Sequence, residues 1–164
     1  TVKPDGEYWR RVVASPDPLK IVEAESIRAV VDAGIIPVCC GGGGVPVIRD
    51  SSTGLYTGAQ AVIDKDLCAA ILARETGAEL MVIATDVDGV YTDWGTPQQR
   101  RIEHASPSDL EKSQFADGSM GPKVRAACRF VRKTGQRAVI GSLEDIGEIV
   151  EVPPHAERSW RIAP

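Results

Sequence analysis

Two lysines stand where the sequence predicts that helices begin, and this position suits a phosphate-binding site. Lys65 lies between Asp64 and Asp66 ahead of an apolar stretch, and Lys123 follows a Gly-Ser turn and Pro122. Proline is tolerated in a first helical turn because its missing N–H would have no partner there. The free N–H groups and the dipole of a helix start favour anions, and a lysine adds a full positive charge. Taken one at a time, each lysine could equally be a solvated residue beside a helix cap.

A run of four glycines follows a short apolar segment and could bring backbone N–H groups close to an anion. Its members are Gly41, Gly42, Gly43 and Gly44. The run is neither a P-loop nor a GxGxxG fingerprint, because no Gly-Lys-Ser/Thr follows it and Val45-Pro46 prevents an immediate helix. A flexible tight turn explains the same residues, so the run alone does not define a site.

The segment that leaves the second predicted strand carries two aspartates, Asp86 and Asp88, after Thr85. These groups could contact a ribose, a metal or nothing, and their spacing alone does not decide between the three. No second carboxylate cluster lies nearby in the sequence, so we expect no metal held by protein ligands alone. Mg²⁺ usually arrives with nucleotide phosphates and keeps several of its water ligands.

Other catalytic and metal-binding patterns are not found in the sequence. His104 and His155 are far apart and lack the spacing of metal ligands, and no Ser-His-Asp or Cys-His set can be assembled. No CxxC pair occurs, so we interpret the four cysteines as reduced core thiols of a cytoplasmic protein. They are Cys39, Cys40, Cys68 and Cys128.

The composition narrows the class of protein. The 164 residues are 43% hydrophobic and 26% charged, which is typical of one globular domain with room for a core. The formal net charge of −4 and an aromatic content of 5% argue against a nucleic-acid or lipid-surface binder. No apolar run approaches the roughly 20 residues that a membrane-spanning helix needs.

Hydrophobic periodicity predicts helices and strands in alternation. The predicted elements are helices at 20–34, 67–76, 106–112 and 121–133, strands at 35–40, 79–85 and 137–140, a hairpin or irregular excursion at 45–58, and an edge strand at 149–152. This order predicts an α/β fold, a three-layer α/β/α sandwich with a mainly parallel sheet. Ligands of such sheets bind beyond the carboxyl ends of the strands, where the glycine run and the Thr85-Asp86 turn lie. We assign residues 1–152 to this fold and residues 153–164 to a tail.

Four segments, taken together and in this order, resemble the carbamate kinases of the amino acid kinase superfamily. They are CGGGGVPV from residue 40, AVIDKDL from residue 61, TDVDGVY from residue 85 and GSMGPK from residue 118. The DVDGVY stretch is shared widely across the superfamily, whereas the GGGG-V-P and IDKD segments point more narrowly to carbamate kinases. The resemblance implies an amino acid kinase-like fold, of which this chain is the C-terminal, nucleotide-binding half.

The resemblance also implies a reaction and a set of site residues. The reaction is reversible phosphoryl transfer from ATP to carbamate, which gives ADP and carbamoyl phosphate and uses Mg²⁺. Lys65, Asp66 and Lys123 are implied as catalytic, with the lysines on the nucleotide phosphates and the transferred group. The glycine run is implied to lie near the phosphoryl or acceptor site. Further nucleotide contacts are implied for Thr85, Asp86, Asp88, Tyr91, Gly118, Ser119 and Met120.

Family members are longer, and their N-terminal half carries a loop that grips the transferred phosphoryl group and the carbamate. No segment here matches that loop, so we expect this chain to form a homodimer or to associate with a missing N-terminal half. Two alternatives stay open. The chain could be a truncated, non-catalytic nucleotide-binding module, or a superfamily member that phosphorylates another small carboxylate or a nucleoside monophosphate.

Overall fold

The computed structural model describes residues 1–115, 118–151 and 161–163. Its strands are Val2–Asp5 (β1), Tyr8–Arg11 (β2), Val47–Arg49 (β3), Tyr56–Gly58 (β4), Leu80–Thr85 (β5), Val90–Thr92 (β6), Arg100–Ile102 (β7), His104–Ala105 (β8), Arg137–Ser142 (β9) and Arg161–Ile162 (β10). Its helices are Ala24–Asp32 (α1), Lys65–Thr76 (α2), Pro107–Leu110 (α3), Met120–Thr134 (α4) and Ile146–Glu151 (α5). The predicted α/β class is confirmed.

Strands β5 and β9 pair in parallel at one side of a four-stranded sheet in the order β5-β9-β10-β8. Their register runs from Leu80 opposite Arg137 to Thr85 opposite Ser142. Because the two strands point the same way, Thr85 and Ser142 end at one edge of the sheet. The N–H of Leu143 donates to the carbonyl of Thr85 at 3.0 Å and joins the two strand ends. This is the edge at which ligands of parallel sheets bind.

Helices cover both faces of this sheet. On one face, Phe130 and Val131 of α4 pack in a hydrophobic core with Ile140 of β9. Side chains alternate along a strand, so Gly141 points to the other face. There α5 lies so close that a Cβ on Gly141 would be 2.7 Å from Cδ1 of Ile149. The arrangement is the predicted three-layer sandwich.

Helix α2 begins and ends where the sequence signals predict. The Asp64 carboxylate accepts hydrogen bonds from the N–H groups of Asp66 at 2.9 Å and Leu67 at 3.0 Å. A cap of this kind stabilises a helix by about 1 kcal/mol. At the other end, Gly77 takes the left-handed conformation with φ 73°. The cap and the helix axis together fix where Lys65 and Asp66 lie.

The buried strand predicted at residues 35–40 is not formed. Within the described residues this segment pairs with no strand, and Ile36 and Val38 are 91% and 101% exposed. An apolar run becomes a buried strand only when strands or helices cover it. In the described part of the chain no strand pairs with it, so Ile36 and Val38 stay at the surface and only the end of the segment, at Cys40, packs against a small hydrophobic cluster.

The edge strand predicted at 149–152 is also wrong, because residues Ile146–Glu151 form helix α5. The N–H of Ile149 donates to the carbonyl of Asp145 at 2.9 Å, as in a helix. The β-branched residues here favour a strand locally, but packing against Gly141 decides the outcome. Residue 152 lies outside the described residues.

The predicted tail, residues 153–164, is described only at residues 161–163. There Ile162 is fully buried, and β10 lies between β9 and β8, antiparallel to the first and parallel to the second. The division of the chain at residue 152 stays a prediction, because residues 152–160 lie outside the described part.

The excursion predicted at 45–58 contains an antiparallel hairpin of β3 and β4.

Candidate active site

The starts of α2 and α4 bring together the three residues that the sequence analysis marks as catalytic. Nζ of Lys123 donates to Oδ2 of Asp66 at 3.1 Å, and Nζ of Lys65 lies 3.9 Å from the same oxygen. The side chain of Asp66 is 9% exposed and that of Lys123 is 15% exposed, whereas that of Lys65 is 61% exposed. Two lysines thus meet one buried carboxylate where two helices begin, and the Asp64 carboxylate that caps α2 adds a second negative charge nearby. The two ammonium groups and the N-terminus of α4 are suited to a phosphate group.

The pair between Asp66 and Lys123 gives a prediction about stability. The sequence alone leaves open that Lys123 is solvated, in which case its removal would change the free energy of unfolding little. In the structure, however, Lys123 is enclosed together with the buried carboxylate of Asp66. Lys123→Met leaves that carboxylate buried, and the cation that remains near it among the described residues is the more distant Lys65. We therefore expect Lys123→Met to lower the free energy of unfolding by about 3 kcal/mol, measured by urea denaturation.

The matched control is the double variant Asp66→Asn/Lys123→Met, which removes both charges. We expect it to be more stable than Lys123→Met alone, because no uncompensated charge remains buried. If the two single substitutions destabilise additively, the two side chains do not act as a pair and this account of the cluster is wrong.

The glycine run forms a tight loop whose hydrogen bonds are internal. The N–H of Gly41 donates to the carbonyl of Cys39 at 2.8 Å. The N–H groups of Gly43 and Gly44 donate to the carbonyl of Cys40 at 2.8 and 2.7 Å. Three of the four glycine N–H groups are thus engaged, so the anion cradle suggested by the sequence is not formed in this conformation.

Gly43 fixes this loop against the residue that precedes the cap of α2. Its φ of 126° is a conformation that side chains rarely adopt, and a Cβ would lie 2.2 Å from the carbonyl oxygen of Ile63. Only a glycine allows this approach. The contact places the glycine loop directly beside the start of α2, and hence beside Lys65 and Asp66.

A second group of polar side chains lies at the carboxyl end of β5. The hydroxyl of Thr85 donates to Asp86 at 3.0 Å, and the hydroxyl of Tyr91 donates to both carboxylate oxygens of Asp88, at 2.9 and 3.0 Å. The hydrogen bond to Asp88, and burial to a lesser extent, raise the pKa of Tyr91 above its usual range. Arg101 on β7 donates to the carbonyl of Asp88 at 2.9 Å. Arg101 was missed by the sequence analysis, since nothing local marks it.

The last three predicted nucleotide contacts lie at the start of α4. Gly118 and Ser119 form an exposed turn, and Ser119 occupies the N-cap position without a side-chain hydrogen bond to the helix. Met120 is half-buried and packs against the main hydrophobic core. Among the described residues, no hydrogen bond or ion pair joins the Lys65-Asp66-Lys123 cluster to the group at the end of β5.

The described residues do not form a site for a resident metal ion. In the described ranges no group of three or more His, Cys, Asp or Glu side chains could hold one. The carboxylate of Asp66 is paired with lysines, and that of Asp88 with Tyr91 and Arg101. A magnesium ion in this site would therefore enter with the phosphates of a nucleotide.

Comparison with known proteins identifies the class. Residues 5–142 match the amino acid kinase family, and the chain belongs to that family. Within it, the carbamate kinase of Escherichia coli (strain K12) is 52% identical over 147 residues, which are 90% of this chain and 48% of that protein. The carbamate kinase of Pyrococcus horikoshii is 48% identical over 155 residues, 92% of this chain and 49% of that protein. The chain thus spans about half the length of the curated relatives it matches.

Solved structures agree with the sequence relatives. The carbamate kinase of Giardia lamblia bound to AMP-PNP superposes with a TM-score of 0.88 at 35% identity, over 99% of this chain and 51% of that one. An isopentenyl phosphate kinase shares the fold, with a TM-score of 0.57 at 17% identity. The resemblance to carbamate kinases is confirmed.

No helix in the part of the chain that the structure describes is both long and apolar enough to cross a membrane.

Proposed function

We propose that this chain provides the nucleotide-binding half of a carbamate kinase, which transfers a phosphoryl group reversibly between ATP and carbamate. One observation carries the proposal: Lys65 and Lys123 converge on the buried carboxylate of Asp66 at the starts of two helices. The choice of carbamate rests on 52% identity to a protein named carbamate kinase.

Phosphoryl transfer to carbamate needs the protein mainly to position the two substrates and to supply positive charge. In the forward direction, the bond from the terminal phosphorus to the oxygen of ADP breaks, and a bond to a carbamate oxygen forms. Carbamate is already an anionic nucleophile, so no general base is needed. Catalysis then depends on alignment and on neutralising charge around the moving phosphoryl group. Lys123, held by Asp66, would supply a fixed positive charge, and the exposed Lys65 would reach the nucleotide phosphates.

The nucleotide would lie across the edge where β5 and β9 end. This assignment is supported by the rule that ligands of parallel sheets bind beyond the carboxyl ends of the strands. Asp88 is held on two sides, by Tyr91 and Arg101, and so presents a fixed carboxylate. We assign nucleotide contacts to Thr85, Asp86, Asp88, Tyr91, Gly118, Ser119 and Met120. Gly41, Gly42, Gly43 and Gly44 would contact the nucleotide phosphates or the acceptor only after the loop exchanges its internal hydrogen bonds.

The nucleotide would enter as its magnesium complex, with the ion held by phosphates and water. The other substrate is a small molecule, carbamate or carbamoyl phosphate.

We place the protein in the cytoplasm, and its four free cysteines support a reducing compartment.

A second reading keeps the fold and makes the chain a non-catalytic nucleotide-binding module. The chain spans 48% of the length of its Escherichia coli relative, and catalysis would need the rest of the site as well. A kinase of another small carboxylate is a third reading, supported only by the shared fold.

A coupled assay of ATP formation from carbamoyl phosphate and ADP with Mg²⁺ tests the proposal. Turnover above that of Lys65→Ala would support a competent kinase, and acetyl phosphate in place of carbamoyl phosphate tests the choice of substrate. Binding of ADP without turnover would favour the module. Absence of both turnover and ADP binding would contradict the proposal.

The exposed apolar side chains around the glycine loop give a prediction about assembly. Ile36, Val38 and Val45 are each at least 85% exposed. Burying them against another chain would be favourable, at about 25 cal/mol for each Å² of apolar surface. We expect light scattering at micromolar concentration to give a mass above the 17.5 kDa of one chain.

The matched control is Ile36→Lys/Val38→Lys, which places two charges on this surface and should return the protein to a single chain. A wild-type protein that is already a single chain under these conditions would count against association through this surface. The occupant we propose is a second copy or a complementary N-terminal half.

A further inference from the structure

Two cysteines connect the glycine loop to α2, and the proposed reaction does not use them. Cys40 precedes the four glycines and is half-buried against a small hydrophobic cluster that contains Cys68 of α2. Both thiols are free, and Cys68 is 4% exposed. Cys128, by contrast, belongs to the separate main core.

The backbone holds Cys40 in an uncommon conformation. Its φ is 63°, in the left-handed region that residues other than glycine rarely occupy. Its carbonyl accepts the hydrogen bonds from Gly43 and Gly44, so the loop determines this conformation. The contact of Gly43 with Ile63 brings the same loop against the residues that lead into α2. These contacts hold the backbone at Cys40 next to the residues that lead into α2, and the Cys40 side chain packs against the cluster that contains Cys68.

The two thiols differ in access. Cys68 is enclosed, whereas Cys40 is reachable from solvent at the loop. Burial, followed by the adjacent Cys40 thiol, raises the pKa of Cys68 to about 12. Cys68 therefore stays protonated and unreactive towards solvent, and a reagent in solution meets Cys40 first.

We propose that Cys40 and Cys68 form a reversible disulfide, which ties the glycine loop to α2, when the protein meets a low-molecular-weight disulfide such as glutathione disulfide. The Cys40 thiolate attacks the reagent, forms a mixed disulfide and releases one glutathione thiolate. The Cys68 thiolate then attacks the Cys40 sulfur and releases the second glutathione. The two protein thiols lose two protons and two electrons, and the reagent is reduced to two thiols.

This disulfide would affect the candidate active site, because both cysteines lie close to its residues along the chain. Cys68 lies one helical turn after Lys65 on α2, and Cys40 supplies the carbonyl around which the glycine loop closes. A covalent link between them fixes the loop relative to the lysine cluster. In a reducing compartment such a bond would be transient and would respond to oxidants.

The test treats the folded chain with glutathione disulfide and maps tryptic peptides without reduction. We expect peptide 29–49, which holds Cys39 and Cys40, joined to peptide 66–74, which holds Cys68. The intact protein should lose two hydrogen atoms and retain no glutathione. Because only the thiolate of Cys68 attacks, closure should accelerate as the pH is raised from 7 to 9.

Four variants separate this proposal from general thiol oxidation. Cys39→Ser and Cys128→Ser should keep the cross-link, whereas Cys40→Ser and Cys68→Ser should lose it. The same treatment in urea is the control for an unfolded chain. The proposal is overturned if the native protein pairs Cys39 with Cys40 or Cys68, if it keeps only glutathione adducts, or if it gives the same mixture of products as the unfolded chain.

Discussion

Lys123→Ala should slow phosphoryl transfer by about 10³-fold or more in any assembly of this chain that turns over, measured as kcat in the coupled assay. The structure places this lysine at the start of α4, enclosed and held 3.1 Å from Asp66. A positive charge that is already oriented before the reaction stabilises the transition state without reorganisation. Its loss should therefore appear in kcat rather than in KM.

Two controls separate this effect from loss of stability. Lys112→Ala removes a lysine that is 75% exposed and pairs with Asp109 on the surface, and it should leave the rate unchanged. Asp66→Asn/Lys123→Met should recover part of the stability and remain inactive. A Lys123→Ala protein that turns over within about tenfold of the wild-type rate would remove Lys123 from the catalytic group.

Gly43→Ala should displace the glycine loop and reduce both stability and nucleotide binding. The new Cβ would meet the carbonyl oxygen of Ile63 at 2.2 Å, and a φ of 126° is strained for alanine. Strain of this kind costs on the order of 1–3 kcal/mol, and relief of the clash requires the loop to move away from α2. Thermal unfolding and titration with ADP measure the two effects.

Gly42→Ala is the matched control, one residue earlier in the same loop. A Cβ at Gly42 would meet no atom within 4 Å in the part of the chain that the structure describes. We expect this variant to keep wild-type stability within about 0.5 kcal/mol. Equal losses in the two variants would mean that the approach of Gly43 to Ile63 does not fix the loop.

Much of the fold could be predicted because local signals and packing agree. Asp64 and Gly77 mark the two ends of α2, and the run at 80–85 is a buried strand, as its sequence indicates. The failures have a common cause. Within the described residues, the run at 35–40 has the composition of a buried strand but pairs with no strand, and Ile149 lies in a helix that packs closely against Gly141. Both depend on contacts between residues that are distant in the sequence, so a short stretch of sequence does not reveal them.

The sequence marks individual residues of the candidate site but does not show how they are arranged in space. The spacing of residues marks Lys65 and Lys123 as helix-start lysines, yet only the fold shows that both converge on Asp66. The glycine run was recognised, but its internal hydrogen bonds and its contact with Ile63 depend on backbone angles that four glycines leave free. Arg101 reaches Asp88 across the pairing of β6 with β7, which sequence distance conceals.

Calorimetric titration of the chain with the magnesium complex of ADP tests the central claim most directly. The claim is that the lysine cluster at the starts of α2 and α4 binds nucleotide phosphates. It predicts that the wild-type chain and Lys112→Ala bind ADP equally, and that Lys65→Ala, which removes an exposed side chain, binds about tenfold more weakly. Binding that is unchanged in Lys65→Ala, or no binding by the folded wild-type chain, would contradict it.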